Sequence, residues 1–322
     1  MKASARAHTN IALVKYWGKK DQQLIIPQTD SLSLTLDKFY TDTTVEFNNH
    51  LKQDQLIIDG QPIATNKLSK VTRVLDQVRS LSQHPQFAKI NSYNHVPMAA
   101  GLASSASAFA ALALAASSAA GLHLSPRELS RLARRGSGSA TRSIFGGLVQ
   151  WHAGSDDASS YAEPIIEHVN FGIEMLAILI DTKQKKVPSR GGMQLSVTTS
   201  PFYPAWTKIV AQDMIAMKTA IQHHDIQQIG HIAEENAMRM HALTLSADPA
   251  FTYFNGGTIK AINLIKGLRE QGLNCYYTMD AGPNVKVIYD RQDRQRIINQ
   301  LAPVFGQDHL IVAQPGPGAH LI

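Results

Sequence analysis

The stretch "GLASSASAFAALALAASSAAGL", from Gly101 to Leu122, limits the possible folds more than any other part of the chain. Alanine is the strongest helix former, so residues 106–120 predict a buried helix. Serine is favoured at the cap and in the first turn, and Ser104, Ser105 and Ser107 therefore mark where that helix begins. A helix start presents unpaired N–H groups and the positive end of the dipole, and Gly101 lets the backbone approach a ligand closely. Such a start is either a capped core helix or a phosphate cradle, and the surrounding sequence has to decide between them.

Upstream, "SLSLTL" (31–36), "TTVEF" (43–47) and "QLIIDGQPI" (55–63) alternate as strands do, the last with an Asp-Gly hairpin signal. Leu68, Val71, Val74, Leu75 and Val78 recur at helical spacing, and "FAKINSYNHVP" predicts a strand feeding the Gly/Ser turn. "SPRELSRLARRG" predicts a helix capped by Ser125, with Pro126 first, Glu128 three residues after the cap, and a stop at Gly136. "GGLVQWH" and "EMLAILIDT" are expected strands; helical patterns over 206–243 and 258–271 follow. Two strands in "CYYTMDAGPNVKVIYD", a helix in "RQDRQRIINQLAPVF" and a strand in "HLIVAQPG" complete the pattern. Mixed elements without one-for-one alternation predict an α+β fold rather than a doubly wound sheet. With 322 residues the chain is long enough for two lobes, and the break at "KKVPSRGG" divides it into 1–187 and 188–322.

A formal charge of +6 raises the question of nucleic acid, but no basic run exceeds a pair such as Lys19-Lys20 or Arg134-Arg135. An anionic small molecule suits this scatter equally well. One cysteine, Cys275, excludes an internal disulfide framework and fits a reducing compartment; beside Tyr276 in a strand-like run it reads as packing. "MKASARAHTN" has no apolar core of a signal segment, and no apolar stretch predicts a membrane span, so a cytoplasmic protein with no membrane partner is expected. No Walker A pattern and no zinc-spaced His/Cys cluster occurs. The chain offers instead five polar turns rich in anion-binding groups: "KYWGKK" (15–20), "GLASSAS" (101–107), "SGSATRS" (137–143), "KKVPSRGGM" (185–193) and "MDAGPNV" (279–285). Each alone could be an ordinary loop or cap; together they favour an anionic ligand.

These turns resemble the GHMP kinase superfamily, whose members bind ATP on a Ser-rich helix start. "NIALVKYWGKKD", "SGSATRSIFGG", "KKVPSRGGM" and "MDAGPNVKVI" are similar to the diphosphomevalonate decarboxylase family within it, and the similarity runs from Ala7 to the last strand. The resemblance implies a GHMP kinase fold: an N-terminal ribosomal-protein-S5-like lobe with a left-handed crossover, a C-terminal ferredoxin-like lobe, and the active site in the cleft between them. It also implies a homodimer with no nucleic-acid partner, acting on mevalonate 5-diphosphate with ATP and Mg2+. The tertiary hydroxyl is phosphorylated, and loss of phosphate and carbon dioxide yields isopentenyl diphosphate.

By the same resemblance Tyr16, Lys19, Ser189 and Arg190 hold the diphosphate, with Lys70 as a further contact. Arg142 holds the carboxylate, a task suited to its planar two-pronged guanidinium. Trp17, Gly18, Ser137, Gly138, Ser139 and Met193 complete the substrate site. Ser92, Gly101, Leu102, Ala103, Ser104, Ser105 and Ser107 bind the nucleotide, with Ser105 facing magnesium. Asp280 polarises or deprotonates the hydroxyl and Lys15 lies beside it. Asp30, ahead of "SLSLTL", departs from the Asn or Ser of the family pattern; a carboxylate there must either face solvent or have a local partner. Other kinases of the superfamily would share the Gly/Ser loop without needing "KYWGK" and Arg142. A relative acting on the monophosphate stays open, since one phosphate changes only a few basic contacts, and net charge alone keeps a nucleic-acid binder as a remote alternative.

Overall fold

A computed structural model describes residues 1–95, 104–181 and 187–322, so the expected ligand groups of Gly101, Leu102 and Ala103 lie outside the described residues. Strand β1 (Lys2–Val14) is followed by two short strands, β2 (Lys19–Asp21) and β3 (Ile26–Pro27), and then by the 18-residue β4 (Ser31–Asn48). "SLSLTL" and "TTVEF", expected as separate strands, are thus one. The pairing with β1 slips between His8 and Asn10, and this irregularity lets β4 change neighbours along its length. Its first residues pair with β8 (Leu148–Trp151), and Tyr40 to Asn48 pair with β7 (Phe87–His95).

The strands β5 (Gln55–Ile58) and β6 (Gln61–Ile63) form the expected hairpin, with φ of 50° at Asp59 and 79° at Gly60. Because β5 runs parallel to β7, α1 (Ser69–Ser82) crosses over between them and buries Val71, Val74, Leu75 and Val78. Helix α2 (Ser104–Ala119) packs its alanines onto this sheet beside α3 (Pro126–Arg134), which starts with the expected capping box of Ser125 and Glu128. Strand β9 (Ala162–Ile166) pairs with β8.

A second, four-stranded antiparallel sheet has the order β11 (Cys275–Met279), β12 (Val285–Asp290), β10 (Ile173–Ile178), β13 (Leu310–Ala313). Strand β10 thus precedes the boundary expected at residue 187 yet pairs with β12 and β13. Helices α7 (Gly256–Glu270) and α8 (Arg294–Phe305) pack on one face of this sheet. On the other face, α5 (Tyr203–Gln222) and α6 (Ile226–Leu245) join Met175 and Ile288 to Ile11, Leu13 and Leu34 of the first sheet in one core. The helical pattern over 206–243 is therefore two helices, broken where His224 takes φ of 55°. Helix α4 (Ser189–Thr199) was not legible, because two early glycines and a Pro188 cap without a side-chain bond give no start signal. The final strand β14 (His320–Leu321) returns to pair with β1.

Candidate active site

Where β1 leaves the first sheet, the Lys15 N–H donates to Asn236 Oδ1 of α6 at 2.8 Å, and Asn236 in turn donates to Asp213 Oδ2 at 2.8 Å. This fixes the start of the Lys15 side chain, whose buried Nζ donates to the Ala12 carbonyl at 2.7 Å and to Asp280 Oδ1 at 2.9 Å. Asp280 stands at the end of β11, as its sequence suggested, and so meets Lys15 across the junction of the two sheets. Its other oxygen, Oδ2, lies 3.3 Å from Lys286 Nζ, an ion pair that leaves Oδ2 without a well-aligned hydrogen bond among the described residues. Burial opposes ionisation of Asp280, but the two ammonium groups outweigh it and hold the carboxyl far below the usual carboxylate range. Burial pushes the Lys15 ammonium down, and Asp280 counters only part of that. His241 of α6 faces the same cluster; burial first, then Lys15 and Lys286, push its imidazole down to about 3, so it is neutral.

Arg142 lies in a tight 3-10 turn, Gly138–Ile144, and is 2% exposed. Its Nε donates to Ser33 Oγ at 2.8 Å, Nη2 donates to Asn10 Oδ1 at 3.2 Å, and Nη1 donates to Ser31 Oγ. These acceptors are neutral, and among the described residues no carboxylate pairs with the guanidinium. Burial pushes it down to about 10. A desolvated cation held in place by neutral groups is set to receive an anion, and a guanidinium takes a carboxylate in two parallel bonds. Beside it the Tyr16 hydroxyl is buried with no partner among the described residues, and the Tyr16 ring packs edge-on to Trp151 at 4.8 Å. A Cβ on Gly138 would come within 2.8 Å of that Tyr16 ring, so only glycine lets the turn lie this close.

Lys19 and Lys70, with Arg190 at the start of α4, gather with a residue that sequence reading missed, Arg73. Burial pushes Lys19 down to about 8, helped by Arg190, Lys70 and Arg73; Lys70 is lowered likewise by burial, Arg190 and Arg73. None of the four forms an ion pair among the described residues. One Arg73 nitrogen, Nη1, is buried without a hydrogen-bond partner among the described residues. Its signal lay in the helical spacing: Arg73 is three residues after Lys70, one turn along the same side of α1. Four like charges left unbalanced mark a place for a polyanion. Trp17 and Met193 line the neighbouring core, and Ser189 opens α4.

The start of α2 meets the 3-10 turn through hydroxyls: Ser137 Oγ lies 3.4 Å from Ser105 Oγ and 3.3 Å from Ser139 Oγ. Ser104 is the first residue of α2. Ser107 sits against the sheet, 2.8 Å from Thr41 Oγ1, and Ser92, within β7, lies 3.0 Å from Thr43 Oγ1. The convergence of a helix N-terminus with three serine hydroxyls fits a nucleotide polyphosphate and its divalent cation. Asp30 has local partners: it accepts from Gln150 Nε2 at 2.7 Å and from the Ala153 N–H at 2.8 Å.

An α+β chain whose two sheets meet at an ion-paired carboxylate has the fold of the GHMP kinases. Residues 7–162 match the diphosphomevalonate decarboxylase-like N-terminal domain, and residues 175–315 match the mevalonate 5-diphosphate decarboxylase C-terminal domain. The chain is 36% identical to the diphosphomevalonate decarboxylase of Aspergillus fumigatus, over 95% of this chain and 81% of that one. The solved mevalonate diphosphate decarboxylase of Enterococcus faecalis is 47% identical, with a TM-score of 0.95, and covers 100% of this chain and 99% of its own. That of Staphylococcus aureus is 46% identical, with a TM-score of 0.96 and coverage of 100% and 98%. The chain belongs to the diphosphomevalonate decarboxylase family.

Proposed function

We propose that the chain catalyses ATP-dependent decarboxylation of mevalonate 5-diphosphate to isopentenyl diphosphate, ADP, phosphate and carbon dioxide. The carrying observation is the Lys15–Asp280 pair at 2.9 Å, together with a buried guanidinium and four further cations that form no ion pair with a carboxylate among the described residues. A related structure holding MVAPP, AMPPCP and magnesium supports the same ligand set.

The four cations Lys19, Lys70, Arg73 and Arg190, with the hydroxyls of Tyr16 and Ser189, bind the diphosphate, and Arg142 binds the carboxylate at the other end of the substrate. Anchored at both ends, the tertiary hydroxyl meets Asp280 Oδ2, the oxygen left without a well-aligned hydrogen bond among the described residues. Ser105, Ser137, Ser139 and the start of α2 hold the nucleotide phosphates and magnesium; MgATP, when bound, supplies the phosphoryl group. Asp280 orients the hydroxyl and takes its proton as phosphoryl transfer raises the acidity of that hydroxyl, while Lys15 balances the developing negative charge. The bond from the carboxylate carbon then breaks, its electrons form the new double bond, and phosphate leaves with the C–O electrons. Arg142 holds the carboxylate in line until it departs. The chain divides into one lobe carrying the first sheet and another carrying the second, crossing ahead of Ile173, and it works as a homodimer in the cytoplasm. No described helix is long and apolar enough to cross a membrane.

The test is an assay with mevalonate, its 5-phosphate and its 5-diphosphate side by side, each with MgATP. Equal amounts of ADP and carbon dioxide should form with the diphosphate alone. A preference for the monophosphate would overturn the role given to the four cations.

A further inference from the structure

Lys286 has no part in the reaction as described, and packing does not account for it. It stands in β12, where Val285, Val287 and Tyr289 face α7 and α8 while Ile288 joins the core on the opposite side. By strand alternation Lys286 shares the face of Ile288, and it is 1% exposed. An ammonium is costly to bury unless it is paired. Among the described residues it has two acceptors, the Asn284 carbonyl at 3.3 Å and Asp280 Oδ2 at 3.3 Å. Lys15 already holds Oδ1 from the first sheet, so Asp280 is gripped at both oxygens by ammonium groups from different lobes.

We infer that Lys286 is a positioning residue for phosphorylation: it holds the Oδ2 edge of Asp280 and so keeps the carboxylate turned toward the tertiary hydroxyl. The inference rests on the reading of Asp280 as the group that meets that hydroxyl. Asp280 is 25% exposed whereas Lys286 is closed to solvent, so Lys286 acts through Asp280 and not on the substrate. The charged and titratable groups facing Asp280 are Lys15 from the end of β1, Lys286 from β12, Arg142 from the 3-10 turn and neutral His241 from α6. Removing one cation leaves two, so ionisation is weakened but not abolished.

The sign follows. Losing Lys286 moves the Asp280 carboxyl upward, but a nearby opposite charge lowers a carboxyl by only about 1–3 units, and Asp280 starts far below the usual carboxylate range, so it stays ionised at neutral pH in every variant. What Lys286 supplies at that pH is orientation. The experiment measures kcat and KM with MgATP and mevalonate 5-diphosphate near neutral pH for wild type, Lys286→Met, Lys286→Gln and Lys286→Arg. Expected is a kcat lowered about tenfold to a hundredfold in the Met and Gln variants, an almost unchanged substrate KM, and return toward wild type with Arg. If the Met variant shows no folded melting transition, the Gln variant, which keeps a polar donor, is scored in its place. A kcat near wild type in both would make Lys286 a packing residue. A raised KM with kcat unchanged would make it a substrate contact, and an Arg variant no better than Met would remove charge from the explanation. Asp280→Asn is measured alongside: normal turnover there overturns the reading of Asp280, whereas an inactive Asn variant beside a wild-type kcat for Lys286→Met overturns this inference alone.

Discussion

Asp280 is charged, partly open and held by two lysines, and its substitution separates chemistry from binding. Asparagine keeps the shape but cannot take a proton, so Asp280→Asn should lower kcat by roughly two to four powers of ten while ATP affinity stays near wild type. Phosphate transfer and carbon dioxide release should fall together; normal ADP formation without carbon dioxide would move Asp280 to the later step. Arg142→Lys keeps charge but loses the two-pronged geometry and leaves Ser31 and Asn10 short of donors. Loss of a charge-assisted bond costs about 1.5–3 kcal/mol, so kcat/KM should drop roughly tenfold to a hundredfold, and wild-type kinetics would remove the carboxylate assignment. Lys19 gives the pH dependence. Its pKa near 8 in the free protein lies below the ordinary lysine value, because burial and Arg190 disfavour its charge. Below that pH it is protonated and ready for a diphosphate; above it, binding must first take up a proton. Substrate KM should therefore rise as pH passes about 8 with kcat less affected, and a KM flat to pH 10 would show that Lys19 does not meet the diphosphate. At this scale the family resemblance singled out "KYWGK", Arg142 and Asp280, and the structure sets Lys15 of that motif against Asp280 and leaves Arg142 buried without a carboxylate among the described residues. Lys286 and His241 were not marked at all, because a lysine between valines and a histidine in a long helix acquire meaning only from what is packed beside them, whereas Arg73 carried a faint signal in its one-turn spacing from Lys70.

Elements with complete local signals were readable, and those defined by their neighbours were not. The Asp59-Gly60 hairpin and the Ser125–Glu128 capping box are short-range patterns, and both formed as expected. Strand β1 shows no alternation because most of it is buried on both sides, between α2 and the α5–α6 layer, and a doubly covered strand loses the period of two. The turn after β1 depends in the same way on a distant helix. Gly18 takes φ of 128°, and a Cβ there would fall 1.7 Å from Tyr203 Oη, which donates to the Trp17 carbonyl at 2.7 Å. Gly18→Ala should therefore both strain the backbone and displace Tyr203, moving Tyr16 and Lys19 together. Substrate KM should rise several-fold or more, with a loss of stability of about 1–3 kcal/mol in urea unfolding. Tyr203→Phe, which removes only the hydrogen bond, should be milder on both counts; equal effects would place the cause in Tyr203 and not in the backbone.

The two sheets do not have separate interiors. One buried cluster takes Ile11, Leu13 and Leu34 from the first sheet, Met175 and Ile288 from the second, and Met214, Met217 and Met240 from α5 and α6 between them. The Lys15–Asp280 pair spans the same junction, and β14 returns the end of the chain to β1. A chain with two sheets of its own could unfold in two steps, and chains of this size often do. A shared core opposes that, because neither sheet can lose its partner without exposing apolar surface that both helices cover. Calorimetry on the free protein should show one transition whose van't Hoff and calorimetric enthalpies agree. Met240→Ala, in the middle of the shared cluster, should lower stability by about 2–5 kcal/mol and move that single transition down whole. Native-state hydrogen exchange should then show amides of β4 and of β11 gaining the same amount of opening, although they lie in different sheets. Two resolved heat peaks, or a Met240→Ala effect confined to β11, would mean that the lobes fold independently. The contact between Lys15 and Asp280 would then be a docking interaction formed after folding, and the active site would open and close with the lobes.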